Sequence, residues 1–274
     1  MMYTKGEGLP FRKILAVDFE YCGADGELPD VVCMVTQDLQ SGEVSRYWQR
    51  DLLKMKTPPF ETGGDVALIS YFAPAEVQSM LALGWDIDVP VIDLFAEFRC
   101  QTNGNPNVGR KSLIGALQFF ELDHLIPEEK DSMRNLILSG GPWSKPQRSA
   151  ILDYCQQDVV ALGPLLNAML RHAPWSELQF NQALLRGRYM KAVGAMQHRG
   201  IPIDLGMLDK LDANWEKIKL NLIENVDAQY CVYVDGRFKE ALFQSYLARE
   251  GIPWPRLDSG RLALDRNTFS NMSK

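Results

Sequence analysis

The chain has 274 residues, a formal net charge of −6 and 46% hydrophobic residues, enough for a sizeable core and for two domains in preference to one. No apolar run approaches the roughly 18 residues of a membrane span, and Met1 to Lys13 lacks an apolar signal-peptide core, so a protein of the reducing cytoplasm is expected. The five cysteines, Cys22, Cys33, Cys100, Cys155 and Cys231, are odd in number and never spaced CxxC, which argues against a disulfide framework and against a zinc site. The acidic balance does not suggest a general nucleic-acid coat, yet it leaves room for an enzyme that holds one strand locally with metal ions and a few basic groups.

Ile14-Leu15-Ala16-Val17 reads as a strand buried on both faces. It ends in Asp18-Phe19-Glu20, and the period-two geometry of a strand turns both carboxylates to one face. Two acids at the end of a buried strand repel and are costly to desolvate unless a cation sits between them. Asp-x-Glu recurs by chance, so the pair needs partners further along the chain. After a loop over Gly23 to Asp30, Val31 to Gln37 reads as a second strand, and Glu43 to Gln49 as a third beyond the Ser41-Gly42 turn. Leu52 to Gly64 is a connection. Val66 to Ser70 is a fourth strand, followed by a helix from Pro74 to the Leu83-Gly84 region, and Pro90 to Leu94 is a fifth strand that runs into a helix near Arg99. Three hairpin strands followed by strand-helix alternation indicate a mixed five-stranded α/β sheet with flanking helices.

Thr102 to Arg110 is a loop, Ser112 to Phe120 a helix, and Lys145 to Leu170 a longer helix after the Gly140-Gly141-Pro142 break. Within it Tyr154 and Asp158 stand four apart and share a face. The composition changes after Ala173. One helical pattern runs from Pro174-Trp175 to Arg199 with Gly200 as its cap, a second from Leu205 to Tyr230, and a third over Gly236 to Leu247. The expected organisation is an α/β domain over residues 1–173 and a smaller, mostly α-helical region over 174–274.

Asp18 and Glu20, joined to Tyr154 and Asp158 at this separation, resemble the first and third motifs of the DEDD 3′-5′ exonucleases of the tyrosine subtype. The resemblance is closest to the proofreading domain of family A, DNA polymerase I-like, DNA polymerases. The position four before the last Asp holds Tyr154, not His, and none of His124, His172 and His198 is placed to serve instead. Tyr189 to Leu208 (YMKAVGAMQHRGIPIDLGML) is similar to the helix and turn that begin the thumb of those polymerases, and Ser259 to Asp265 is similar to a later thumb segment. The palm carboxylates and the fingers helix of a polymerase do not follow, so no polymerase activity is expected of this chain, and a polymerase region or partner beyond residue 274 is implied.

The resemblance implies an RNase H-like fold, two Mg²⁺ or Mn²⁺ ions, and hydrolysis of the 3′-terminal phosphodiester of DNA at a single-stranded 3′ end. Asp18 would bridge both ions, Glu20 and Asp158 would hold the ion on the nucleophile's side, and Tyr154 would orient the attacking water. The third carboxylate has two candidates, Glu76 and Asp93. The family places this acid at a helix start, with a Leu-rich turn and a Gly eight residues on and a second Asp after the next short strand. Glu76 fits the first position, with Met80-Leu81 and Gly84 following, and Asp93 the second. Glu stands here where the family usually has Asp, and its side chain is one C–C bond, about 1.5 Å, longer. Phe72 stands where an Asn is common and offers a base-stacking surface; Phe19 is a further candidate substrate contact. An RNase D-like exoribonuclease acting on RNA shares the pattern, and a non-catalytic module that binds single strands or a polymerase is the third alternative.

Overall fold

The structure is a computed structural model that describes residues 2–3, 9–24, 26–86, 88–123 and 127–272. Its central sheet is built from β1 (Lys13–Cys22), β2 (Asp30–Asp38), β3 (Val44–Trp48), β4 (Val66–Ser70) and β5 (Val91–Asp93). The strand order is β3-β2-β1-β4-β5. The first three strands form the antiparallel meander, and β4 and β5 add in parallel to β1. This is the mixed RNase H-like sheet read from the sequence.

β1 is apolar on both faces because both faces are covered. Ile14, Ala16 and Cys22 belong to one core layer with Ile151, Cys155 and Val159, whereas Leu15, Val17 and Phe19 belong to the other with Leu52, Met80 and Trp85. Even-numbered positions of the strand therefore face the long helix, and Asp18 and Glu20 lie in that series. Pairing of β1 with β4 ends at Ala16 and Ile69, so Asp18 stands just past the last parallel pair. The carboxyl ends of β1, β4 and β5 share one rim, where open α/β sheets hold their ligands. On the other side of β1, Glu20 faces Cys33 and Tyr21 faces Val31, which leaves Val32 as a bulge. A bulge here twists the strand end and re-aims its side chains.

Helices α1 (Ala73–Ala82), α2 (Leu94–Gln101), α3 (Leu113–Phe119), α4 (Pro127–Leu138) and α5 (Lys145–His172) flank the sheet. α5 starts at Ser144, whose N–H donates to Gln147 Oε1 at 2.8 Å, a capping arrangement that satisfies an orphan donor of the first turn. It buries Ile151, Tyr154, Cys155, Val159, Leu162, Leu166 and Met169, the helical spacing of one core-facing stripe. α4 is an element beyond those expected from the sequence.

The chain divides into two compact units, Met1–Ile201 and Pro202–Lys274. The boundary lies beyond the expected one at Ala173, because α6 (Glu177–Arg199) packs on the larger unit. Two glycines let it come close: a Cβ on Gly187 would stand 1.8 Å from Val91 O, and one on Gly194 would stand 2.8 Å from Val77 Cβ. Arg186 adds a bidentate pair, with Nε and Nη2 donating to the Glu97 carboxylate at 2.6 and 2.7 Å, and Glu97 is buried. A buried carboxylate needs such a partner.

The smaller unit contains α7 (Leu205–Tyr230), α8 (Glu240–Glu250) and α9 (Arg266–Met272). Its core is an aromatic cluster in which Phe243 packs against Tyr246, Trp254 and Phe269. The third helix of this region begins at Glu240 and not at Gly236. Asp235 and Gly236 both have positive φ, 49° and 67°, and turn a hairpin between Tyr233–Val234 and Arg237–Phe238; Asp-Gly is a preferred pair for such a turn. No helix among the described residues is long and apolar enough to cross a membrane.

Candidate active site

Asp18 and Glu20 reach the α5 side of the sheet beside Cys155, and the ligand atoms of the three lie within 4.8 Å of one another. The Cys155 thiol lies 3.3 Å from Asp18 Oδ2 and 3.4 Å from the Asp18 carbonyl oxygen, one donor shared between two acceptors. One turn along α5, Asp158 accepts from Lys130 Nζ at 2.7 Å. Lys130 projects from the first turn of α4 and lies 5.5 Å from the centre of the Tyr154 ring.

Glu76 sits in the first turn of α1 and is 5% exposed. Its Oε2 is buried with no hydrogen-bond partner. Burial raises the Glu76 carboxyl well above its ordinary range, and the negative charges of Asp18 and Glu20 push it further. Glu20 is raised by burial and then by Asp18. Asp18 is pushed up to about 7, first by burial and then by Asp158. Asp158 is raised by burial against the opposing pull of Lys130. The Tyr154 phenol is raised far above its usual value, by burial first and then by Asp158, Glu20 and Asp18. Each of these five groups is thus perturbed by desolvation and, apart from Asp158, by the other acids, so the structure brings Asp18, Glu20, Glu76, Tyr154 and Asp158 together.

Asp93 is placed differently. It is 1% exposed, and its two oxygens accept from Ala73 N at 2.7 Å and Ala96 N at 2.8 Å. One carboxylate therefore caps α1 from outside and α2 from within. Burial pushes it up to about 6, offset by these backbone donors. α1 needs the outside cap because its own N-cap residue is Phe72, which has no oxygen to offer and sits in the left-handed region at φ 94°. That geometry turns the Phe72 ring out, 38% exposed and edge-on to Phe95 at 5.3 Å.

A groove of about 490 Å³ is lined by two of the acids, Asp18 and Asp158, together with Lys130, Lys111, Tyr71, Phe72 and Phe95. Phe19 is not offered to it: the ring is 4% exposed in the opposite core layer. His172 packs on Phe119 and Phe120 at the far end of α5, 18 residues and roughly 27 Å of helix rise from Tyr154. His198 is near the end of α6, and His124 lies outside the described residues. Lys130 and Cys155 are beside the acids without having been singled out in the sequence, and Asp93, a candidate third carboxylate there, is a helix cap.

The donors suit a hard divalent cation. Four carboxylates supply oxygen ligands, and a buried, unpartnered Glu76 Oε2 beside two other acids is the kind of orphan that a cation would satisfy.

No family model matches the chain, and no curated protein does. Solved structures do match. A nuclease in its apo form aligns with a TM-score of 0.51 at 14% identity over 69% of this chain and 86% of that one. The POL domain of Pol1 from M. smegmatis, in complex with DNA primer-template and dNTP, aligns with a TM-score of 0.55 at 14% identity over 96% of this chain and 42% of that one. Escherichia coli RNase D aligns more loosely, with a TM-score of 0.46 at 12% identity over 95% of this chain and 67% of that one. At these identities the likeness is one of fold, and the fold is a mixed five-stranded RNase H-like sheet with flanking helices, followed by a helical region.

Proposed function

We propose that this chain is a metal-dependent 3′-5′ exonuclease of the DEDD class, tyrosine subtype, acting on single-stranded 3′ ends of DNA. The observation that carries the reading is the convergence of Asp18, Glu20, Glu76 and Asp158 on one rim of the sheet with Glu76 Oε2 unpartnered. Four acids held this close repel one another, an arrangement that costs stability unless cations are to be bound. DNA is placed ahead of RNA because the Pol1 POL domain, whose fold this chain shares at a TM-score of 0.55, is in complex with a DNA primer-template.

Asp18, Glu20, Glu76 and Asp158 would hold the divalent ions, Mg²⁺ or Mn²⁺. Bound there, the ions would lower the pKa of a water and neutralise charge on the scissile phosphate and the departing 3′ oxygen. The chain's own groups do the rest. Tyr154, its phenol pushed far above neutrality by burial and the nearby acids, stays protonated and acts as a hydrogen-bonding group that orients the water, not as a base. Asp93 fixes the helix that carries Glu76 by accepting from the Ala73 N–H at its start. Phe72 and Phe95 offer rings on which bases of the strand stack.

The test is digestion of matched single-stranded DNA and RNA oligonucleotides labelled at the 5′ end. Shortening from the 3′ end with Mg²⁺ or Mn²⁺, faster on DNA, lost in EDTA and lost in Asp18→Ala, is the expected result. Faster loss of RNA would move the assignment to an exoribonuclease. No shortening of either would leave a binding module.

A further inference from the structure

Among the described residues, Lys130 is the only Lys or Arg with an ion pair to any of the four acids. The pair is not a surface pair, since the two side chains are 27% and 18% exposed. Lys130 and Asp158 both line the groove, together with Asp18, and Lys130 Nζ donates to Asp158 Oδ2 at 2.7 Å. Lys111 lines the groove too, but its Nζ is committed to Thr102 Oγ1 at 3.1 Å and to the Phe98 ring.

An ammonium and a divalent cation compete for the same carboxylate oxygen, because both need its lone pairs and each repels the other. A cation that takes Asp158 therefore frees Lys130. A freed lysine is a flexible point charge with three donors, anchored by α4 at the lip of the groove through which an anionic strand must pass.

We propose that Lys130 is the phosphate-binding residue of this groove, held on Asp158 as a counter-ion until a divalent cation takes that carboxylate. The inference rests on the exonuclease reading for its substrate, a nucleic-acid phosphate, but its first consequence concerns metal binding alone. Lys130 then has two successive partners: it neutralises Asp158 when the cation is absent and the strand when the cation is present. A lysine with a merely structural role would keep its one partner throughout.

The experiment uses the full chain and the variants Lys130→Gln and Lys130→Arg, with melting curves to establish folding. Free Mn²⁺ is counted by electron paramagnetic resonance without nucleic acid. A single-stranded oligonucleotide with phosphorothioate linkages at its 3′ end is titrated by fluorescence anisotropy in Ca²⁺. Lys130→Gln should bind Mn²⁺ several-fold more tightly, because the competitor is gone. It should bind the oligonucleotide about tenfold more weakly, the loss of one charge-assisted hydrogen bond. Its slope of log affinity against log salt should be shallower by about 0.7, one phosphate fewer on a single strand. Lys130→Arg should restore the oligonucleotide affinity and the slope. Mn²⁺ affinity that is unchanged or weaker in Lys130→Gln overturns the proposal, and so does an unchanged salt slope. Absence of nuclease activity in the wild type would refute the exonuclease reading and leave the Mn²⁺ result to decide the competition.

Discussion

The acid centre should make the metal-free protein less stable as pH rises, and Asp18→Asn should relieve it. A carboxyl that titrates at 3.8 when unfolded and at about 7 when folded binds its proton more tightly in the folded state. Folding is then favoured by protons, and the contribution is lost as pH rises between those two values. The shift of about three units corresponds to ~4 kcal/mol at 1.36 kcal/mol per unit. Partial solvent access to Asp18 makes this an upper bound, so ~2–4 kcal/mol is expected. For a unit of this size that is roughly 4–16 °C in melting temperature. In EDTA, wild-type protein should melt lower at pH 8 than at pH 5.5, while Asp18→Asn should be flatter and should melt above wild type at pH 8. Mn²⁺ should stabilise wild type at pH 8 and leave Asp18→Asn nearly unmoved, since the ion binds only the folded acids. The assay is differential scanning calorimetry across pH with and without metal. A wild-type profile that is flat in EDTA, or an Asp18→Asn variant no more stable at pH 8, would refute the claim that Asp18 is held under repulsion.

Glu76→Ala should cut hydrolysis by roughly 100-fold or more, since loss of a mere partner of a metal ligand already costs about 10–100-fold, without destabilising the metal-free fold, since it removes a repelling charge. Asp93→Ala should do the reverse: loss of ~2–5 kcal/mol from two orphaned helix N–H donors, with activity per folded molecule within about tenfold, measured by urea unfolding beside single-turnover digestion. Tyr154→Phe should lower kcat by roughly 100-fold and leave KM nearly unchanged, the signature of a group that positions water and does not bind substrate. Gly187→Ala should cost ~3 kcal/mol or more, because its methyl would meet Val91 O; a melt within a degree of wild type would mean that α6 is free to shift away from β5.

The fold was legible because its signals are local and repeated. β1, β4 and α5 follow from apolar runs and helical spacing within single segments, and the observed Val66–Ser70 strand has the boundaries read from the sequence. The departures come from signals that act between segments. α6 belongs with the larger unit because Gly187 and Gly194 remove the side chains that would hold it away from Val91 and Val77. A glycine inside a helix lowers its propensity but does not name the surface it approaches. α4 carried a usable signal that went unread: Pro127 at a helix start, then Met133, Leu136 and Ile137 at core spacing. Lys130, the cation paired with Asp158, stands on this helix.

The two candidates for the third acid show how far residue type and spacing carry a site. Asp93 and Glu76 are both buried acids at helix starts, and composition cannot separate them. The hydrogen bonds can, since a carboxylate whose two oxygens are already taken by Ala73 and Ala96 N–H groups has little left for an ion. A carboxylate with a buried bare oxygen does. The two acids are also coupled in sequence logic. Phe72 leaves α1 without a cap, Asp93 supplies one from the neighbouring strand, and α1 so held carries Glu76 to the rim beside Asp18 and Glu20. Phe72, whose ring lines the groove, is therefore tied to the acid that fixes the helix behind it. Placing an Asn there in Phe72→Asn should make α1 less dependent on Asp93, so that Asp93→Ala costs less stability in that background than in wild type. Additive losses in the double-mutant cycle would show that the two caps act independently and that the coupling drawn here is absent.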